Sequence, residues 1–508
     1  MKHSLPFGIS GIAFLLILVL PIHIEAQSKA SEGSKQHPRY KLIDLGTFGG
    51  PHSETADGGG ITSVNALNNQ GTFIGWADTA TADPYPDACF VEDCFVSHAL
   101  RAQKGKKSDL GTLPGGPSSL TTWISSNGLI SGISENGNLD PLIPGFPQLH
   151  AVLWTDGRIT DLGTFDGAYE SIANAVNSRG QVVGAALNSI PDANSMFGLG
   201  YQTRAFLWEN SSLVDLGTLG PGTDAEAALI NSRGQVVGWS YTSAKHSDIC
   251  ALVYGFPLAT GSFVWDKQRG MVDLGTLGGT CTIARALNNR GQIVGQSWSA
   301  GDATGHSFYW DGVHGMLDLG TLGGDFSSAD ALNDGGDAVG GSYLAGNVLI
   351  DATMWRGKSA IDLGTVDGDQ CSYALSINAR RQVVGISGTL NCDSTRAFLW
   401  EEGGPMVDLN DLVVAGADIQ VAFAYTINDR GEIAGLGFLP NGDEHAVLLI
   451  PCDRGESLCA NESSRVTAHQ ASAPAQSSKA TRLVGQHSGL MQLSRRPMRR
   501  SRGPVPRP

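Results

Sequence analysis

Asp273-Leu274-Gly275-Thr276-Leu277-Gly278-Gly279, then Ala284-Arg285-Ala286-Leu287-Asn288-Asn289-Arg290-Gly291-Gln292-Ile293-Val294-Gly295, then His306-Ser307-Phe308-Tyr309-Trp310 is one copy of a pattern written eight times along this 508-residue chain. Each copy holds four short runs of Val, Ile, Leu and aromatics in near alternation, separated by Gly and Asn, as strands joined by turns do. The opening Asp falls at Asp44, Asp109, Asp161, Asp215, Asp273, Asp318 and Asp362, with Asp408 in a decayed eighth copy. Spacings of 44 to 65 residues belong to propeller and solenoid repeats. Four strands per copy favour radial sheets. The expected fold is therefore all-β, an eight-bladed β-propeller of four-stranded blades over residues 40–452. No helical stripe is read between residues 40 and 450. The last copy lacks its own Asp-Leu-Gly strand while an orphan one, Tyr40 to Gly46, precedes the first. Pairing the two closes the ring and hides both edges.

The recurring turn is Asn-x-x-Gly, at Asn68/Gly71, Asn177/Gly180, Asn231/Gly234, Asn288/Gly291, Asn333/Gly336 and Asn428/Gly431. Asn bonds its own backbone there and Gly supplies positive φ. Two copies depart, with Ser125 for Asn and Arg381 for Gly. The turns read as structural punctuation.

In six copies the third run reads His98-Ala99-Leu100, His150-Ala151-Val152, Arg204-Ala205-Phe206, His306-Ser307-Phe308, Arg396-Ala397-Phe398 and His445-Ala446-Val447. Together with the Asp-Leu-Gly-Thr-Leu-Gly-Gly and Gly-Gln-Val-Val-Gly elements, it resembles the extracellular HAF-repeat family across about residues 40 to 450. That resemblance implies a secreted, mostly bacterial repeat protein of unassigned activity, and it carries over no catalytic residue.

Residues 1–26 read as a signal peptide: Lys2 and His3, an apolar core from Ile9 to Leu20, and Ala26 before Gln27. Residues 27–39 read as a linker and 453–508 as a disordered basic tail. The chain carries −15, yet the tail from Arg465 onward holds nine basic residues and no acidic one. The propeller is therefore acidic, which disfavours phosphate and nucleic acid. It suits cations, cationic partners or neutral glycans. No segment of the mature chain is read as spanning a membrane, and a monomer is expected. The eight cysteines suggest an oxidising compartment. The expected pairs are Cys89 with Cys94, Cys250 with Cys281, Cys371 with Cys392, and Cys452 with Cys459.

The connection between second and third strands is about twice as long in the first four copies as in the last four, and long loops on a rigid scaffold are where binding resides. Tyr85, Asp87 and Phe90, then Phe146, Tyr201, Trp239, Tyr241, His246 and Asp248 set aromatic rings beside acids there. Such a surface fits a glycan or protein ligand; the alternative is that the rings pack their own loops. Equivalent Asp and His residues are spread round the ring, so they do not converge on one ion. No metal or other cofactor is expected, with calcium left open. No nucleophile elbow, His-Glu-x-x-His, phosphate loop or dinucleotide fingerprint occurs, so no catalytic residue is assigned. The inner-strand acids Glu170, Glu226 and Asp330 are read as occupying equivalent or near-equivalent places rather than facing one another. The resulting expectation is a secreted, non-enzymatic binding or scaffold protein. The alternatives are a glycan-active propeller hydrolase or lyase and an adhesive surface protein.

Overall fold

The computed structural model describes residues 37–452, apart from 57–64, 87–88, 92, 143–144, 146 and 393–394, together with Cys459. The expected signal peptide, the linker up to residue 36 and the tail, Cys459 excepted, lie outside the described residues.

Each repeat folds as an antiparallel meander. In the fifth, Gly278–Leu287, Ile293–Ser299, Gly305–Asp311 and Gly315–Gly320 pair in chain order. Apolar residues fill these strands because each sheet is covered on both faces by its neighbours; Ile283, Ile293, Val294 and Phe308 are fully buried. Sheets of the same order run from Gly49, Ser119, Ser171, Ala225, Gly323 and Cys371. Single parallel pairs, Thr260 with Cys281 and Gly305 with Phe326, bridge the fourth to the fifth and the fifth to the sixth.

The last sheet has five strands rather than the expected four. Its order is Val413–Gly416, Tyr40–Asp44, Glu444–Pro451, Ile433–Phe438, Gln420–Ile427. Tyr40–Asp44 runs antiparallel to Val447–Pro451, as expected, and Val413–Gly416 adds to its outer edge in parallel. A second departure from the sequence reading is a short helix, Asp248–Val253, in the insertion of the fourth repeat. Ser247 caps it by accepting the Cys250 N–H at 3.2 Å.

Neighbouring repeats are stitched by the turn asparagines. The Oδ1 atoms accept N–H groups of their own turn, as Asn288 does from Arg290 and Gln292 at 3.0 Å. Each Nδ2 then donates to the backbone carbonyl of the next repeat's turn: Asn231 to Asn288 and Asn288 to Asn333 at 3.1 Å, Asn333 to Asn378 at 3.3 Å, Asn378 to Asn428 at 3.0 Å. Asn428 donates in the same way to Asn68 of the first repeat, at 2.9 Å. Ser125 cannot extend this far, and Asn127 reaches Ser178 O at 3.0 Å instead. At the other exception, Arg381 takes the glycine's conformation, φ +60°. An L residue is strained there by about 1 kcal/mol, and Arg381 is held by Asp337 at 2.7 Å and Glu402 at 3.4 Å.

All four expected disulfides are present, with Cα–Cα separations between 5.1 and 5.8 Å. The insertions of repeats 1–4 mainly lengthen the second strand, which has 11, 10, 10 and 11 residues there against 7, 7, 7 and 6 in repeats 5–8. The first four repeats therefore carry hairpin arms beyond the common frame. No helix among the described residues is long and apolar enough to cross a membrane.

Candidate functional site

Register fixes a layer at the root of those arms. The third residue after the conserved second-strand Gly lies opposite the residue just before the first-strand Ser or its equivalent. Across repeats 1 to 4 these two places hold His52 and Asp78, Ser118 and Glu135, Glu170 and Leu187, and Asp224 and Tyr241. Across repeats 5 to 8 they hold Cys281 and Trp298, Phe326 and Tyr343, Cys371 and Gly388, and Gln420 and Phe438. All the carboxylates of this layer fall in the half that bears the arms.

These acids are buried and incompletely satisfied. Glu135 Oε2 accepts the Ser118 N–H at 3.0 Å, Glu170 Oε2 the Leu149 N–H at 2.9 Å, and Asp224 Oδ2 the Met196 N–H at 2.7 Å. Glu135 Oε1, Glu170 Oε1 and Asp224 Oδ1 have no hydrogen-bond donor among the described residues. Two acids from the arms join them. Asp83 accepts the Tyr85 N–H at 2.8 Å and the Phe90 N–H at 3.2 Å, and Asp140 Oδ1 accepts the Leu142 N–H at 2.6 Å.

Burial, reinforced by the charge of Asp83, pushes the Glu135 carboxyl up to about 8. Burial also lifts Glu170 well above the carboxylate range, and Asp140 beside it adds to the shift. Asp224 rises to about 6, burial outweighing the N–H groups of Met196 and Thr203. At neutral pH Glu135 and Glu170 therefore hold their protons while Asp224 is mostly ionised, and a protonated buried carboxyl is suited to general-acid chemistry. At its edge, His52 Nδ1 stands 2.5 Å from Asp93 Oδ2 and 3.7 Å from Asp78 Oδ2. Among the described residues this is the one His/Asp/Glu/Cys group compact enough to surround an ion. Separations of 26 and 15 residues in sequence hid it from pattern reading, which expected no metal site.

The inner-strand acids lie in separate networks. Glu226 accepts from Asn174 at 2.8 Å, and burial raises it to about 7 against that bond. Asp330 is held by Arg285 at 3.2 Å and by the Tyr373 hydroxyl, and the Arg285 guanidinium lies 5.7 Å from the centre of the Tyr254 ring. The repeated His and Asp are each other's partners across strands three and four: His98 with Asp109 at 2.7 Å, His150 with Asp161 at 2.8 Å, His306 with Asp318 at 2.9 Å, His445 with Asp44 at 2.8 Å. Arg204 and Arg396 make the same pairing with Asp215 and Asp408.

Of the binding residues expected from sequence, Phe90, Trp239 and Tyr241 are 3%, 2% and 0% exposed, so no face of these rings is open to a ligand. Their aromatic area packs the roots of the arms, with Trp239 and Tyr241 both against Phe256. Tyr201 is half-buried, and His246 and Asp248 form an exposed pair at 3.2 Å. Asp87 and Phe146 lie outside the described residues. Tyr85 is the one brought to the acids: half-buried, its hydroxyl is pushed up by burial and then by the charges of Glu135 and Asp83.

No family model and no curated protein matches the chain. Solved structures similar to it include the β-propeller domain of the trilobed protease from Pyrococcus furiosus, at 11% identity and TM-score 0.38, covering 66% of this chain and 96% of that one. Pyrococcus horikoshii acylaminoacyl peptidase is 10% identical with TM-score 0.39, covering 65% of this chain and 51% of that one. Porphyromonas gingivalis dipeptidyl peptidase 4 is 9% identical with TM-score 0.43, covering 77% and 59%. The expectation of a non-enzymatic binding or scaffold role is corrected here. Phe90, Trp239 and Tyr241, the rings assigned to ligand stacking, are closed inside the arms, and buried carboxyls line the root of the arms instead.

Proposed function

We propose that the chain is a hydrolase that cleaves glycosidic bonds by acid–base chemistry at the root of the arms of repeats 1–4. The observation that carries this reading is Glu135, whose carboxyl holds its proton up to about pH 8 beside the carboxylate of Asp83 and keeps one buried oxygen without a donor. Glycoside cleavage uses a pair of carboxyl groups, one of which holds a proton for the leaving oxygen. Glu135 gives its proton to the leaving oxygen as the bond from that oxygen to the anomeric carbon breaks. Water attacks that carbon, and Asp83 takes the water's proton. Tyr85 supplies an aromatic face next to the pair.

Release of reducing ends from a panel of soluble polysaccharides by the purified protein tests this, with peptidyl and ester substrates as comparators. Turnover of a polysaccharide is expected, falling more than 100-fold in Glu135→Gln and Asp83→Asn at unchanged melting temperature. The wild-type rate is expected to decline above about pH 8, as Glu135 loses its proton. Absence of polysaccharide turnover between pH 5 and 8, or turnover indifferent to both variants, refutes the reading.

We further infer an eight-bladed, closed propeller of the HAF-repeat family, acting outside the cytoplasm. Closure is supported by three contacts between first and last repeats: Asn428 with Asn68, Ala446 N with Ser53 Oγ at 3.0 Å, and His445 with Asp44. The oxidising location is supported by the four disulfides.

A further inference from the structure

We propose that His52, Asp78 and Asp93 bind one divalent transition-metal ion of the Zn²⁺ class, independently of any hydrolytic activity. The three come from three segments: His52 from the first strand of repeat 1 (Gly49–Thr55), Asp78 from its second (Thr72–Ala82), and Asp93 from the insertion just before its third. One donor atom from each lies within 4.8 Å of the others. Four-coordinate zinc, with ligand bonds of about 2.0–2.2 Å, sets neighbouring donors about 3.4 Å apart. The 3.7 Å edge from His52 to Asp78 is slightly wide, the 2.5 Å edge to Asp93 is tight, and all three edges lie within 4.8 Å, so small side-chain rotations seat the ion.

The surroundings orient these donors. Asp78 is 0% exposed; its Oδ1 accepts from Ser97 Oγ at 2.7 Å and its Oδ2 from the His52 N–H at 3.0 Å. Asp93 Oδ1 accepts the Phe95 N–H at 3.2 Å, and the Cys89–Cys94 disulfide pins the loop that carries it. Hydrogen bonds of this kind fix ligand direction and raise ligand basicity. One imidazole with two carboxylates is a mixed nitrogen and oxygen set, which suits Zn²⁺ first and Mn²⁺ second and disfavours Ca²⁺, a cation of all-oxygen sites. Three protein ligands leave at least one position for water or substrate.

The repeat itself separates this cluster from a demand of the fold. Leu187, Tyr241, Trp298, Tyr343, Gly388 and Phe438 occupy the place of Asp78 in other repeats, and only repeat 1 puts His at the place of His52. The frame is built without these side chains seven times, so it does not require them.

The test is titration of Zn²⁺, Mn²⁺ and Ca²⁺ into the untagged, chelator-treated full chain, followed by calorimetry and by metal content after dialysis. One Zn²⁺ per chain is expected, with Mn²⁺ weaker and Ca²⁺ absent, and Co²⁺ should give visible ligand-field bands from a site of low coordination number. His52→Ala and Asp93→Asn, both at partly exposed positions, should each weaken binding at least 100-fold at unchanged melting temperature. His98→Asn, which removes an unrelated His–Asp pair, should leave it intact. Stoichiometric Zn²⁺ retained by the His52→Ala/Asp93→Asn double variant, or no Zn²⁺ retained by the wild type, overturns the proposal.

Discussion

Repeats 1–4 and repeats 5–8 share one meander frame, and beyond the arms of the first half they differ in one layer at the root of those arms. Where the first half places Asp78, Glu135, Glu170 and Asp224, the second places Trp298, Phe326, Tyr343, Phe438 and the half-cystines Cys281 and Cys371. The second half fills the layer mostly with apolar volume or a crosslink, with Gly388 and Gln420 among its residues, and places no carboxylate there. A buried carboxyl lacking a partner costs several kcal/mol relative to such filling. The first half thus gives up stability at the same positions where it gains proton-holding groups, and this trade marks a functional site better than any one residue does.

The largest break in the comparison comes from removing the crosslink that ties the two halves together at this layer, from Cys250 of repeat 4 to Cys281 of repeat 5. Cys250→Ser with Cys281→Ser opens a 31-residue loop and should lower unfolding stability by about 3 kcal/mol in a urea titration. A loss below about 1 kcal/mol would mean that this layer is held by packing alone.

Next in size is Glu135→Leu, which gives repeat 2 the filling of repeats 5–8. The groups facing Glu135 are Asp83, Tyr85, Glu170 and the Ser118 N–H. Its folded pKa, about 8, exceeds that of an unfolded Glu, so the native state binds the extra proton. The stability that this proton lends is full below about pH 4 and is lost as pH rises through 8. Wild-type melting temperature should therefore fall between pH 5 and 9, and the variant should be flatter and about 1–3 kcal/mol more stable at the alkaline end. Parallel pH profiles for the two proteins would contradict the assignment.

The smallest effect belongs to a pair from the common frame. His98 is raised by its bond to Asp109, against burial, while Asp109 is held low by His98 and the Gly111 N–H despite burial. The pair thus contributes above the range where an unfolded Asp titrates, and it fades as pH rises through the folded pKa of His98. Both partners are partly exposed, so His98→Asn should cost less than about 1 kcal/mol at pH 5.5 and nothing at pH 9.

The frame was legible because its signals are local. Asn288 with Gly291 specifies a turn within four residues, and alternation about Ile293-Val294-Gly295 specifies a strand. Even the pairing of Cys250 with Cys281 followed from position in the repeat. The fifth strand Val413–Gly416 was not legible, since its partner Tyr40–Asp44 comes from the far end of the chain. Nor was the helix at Asp248–Val253, which has too few residues for an apolar period. The acids were missed for another reason. Aromatics and acids in long loops draw attention as a surface, whereas Trp239 and Tyr241 lie on an extended strand and turn inward. A signal was present: aligning the copies on the second-strand Gly puts Asp78 and Glu135 in a column otherwise made of Leu187, Tyr241, Trp298, Tyr343, Gly388 and Phe438. Their partners His52 and Glu170 come into register only after the first-strand bulges are known.

The asparagine stitch from Asn428 to Asn68 uses the same atoms, at nearly the same length, as the stitches between consecutive repeats. For the closed propeller proposed above, the covalent order of the repeats is then a bookkeeping convention. A circular permutant whose chain starts at any exposed inter-repeat turn should reach the same architecture. The cut to avoid is the one between repeats 2 and 3, where Ser125 breaks the pattern and Asn127 supplies the turn-to-turn bond in its place.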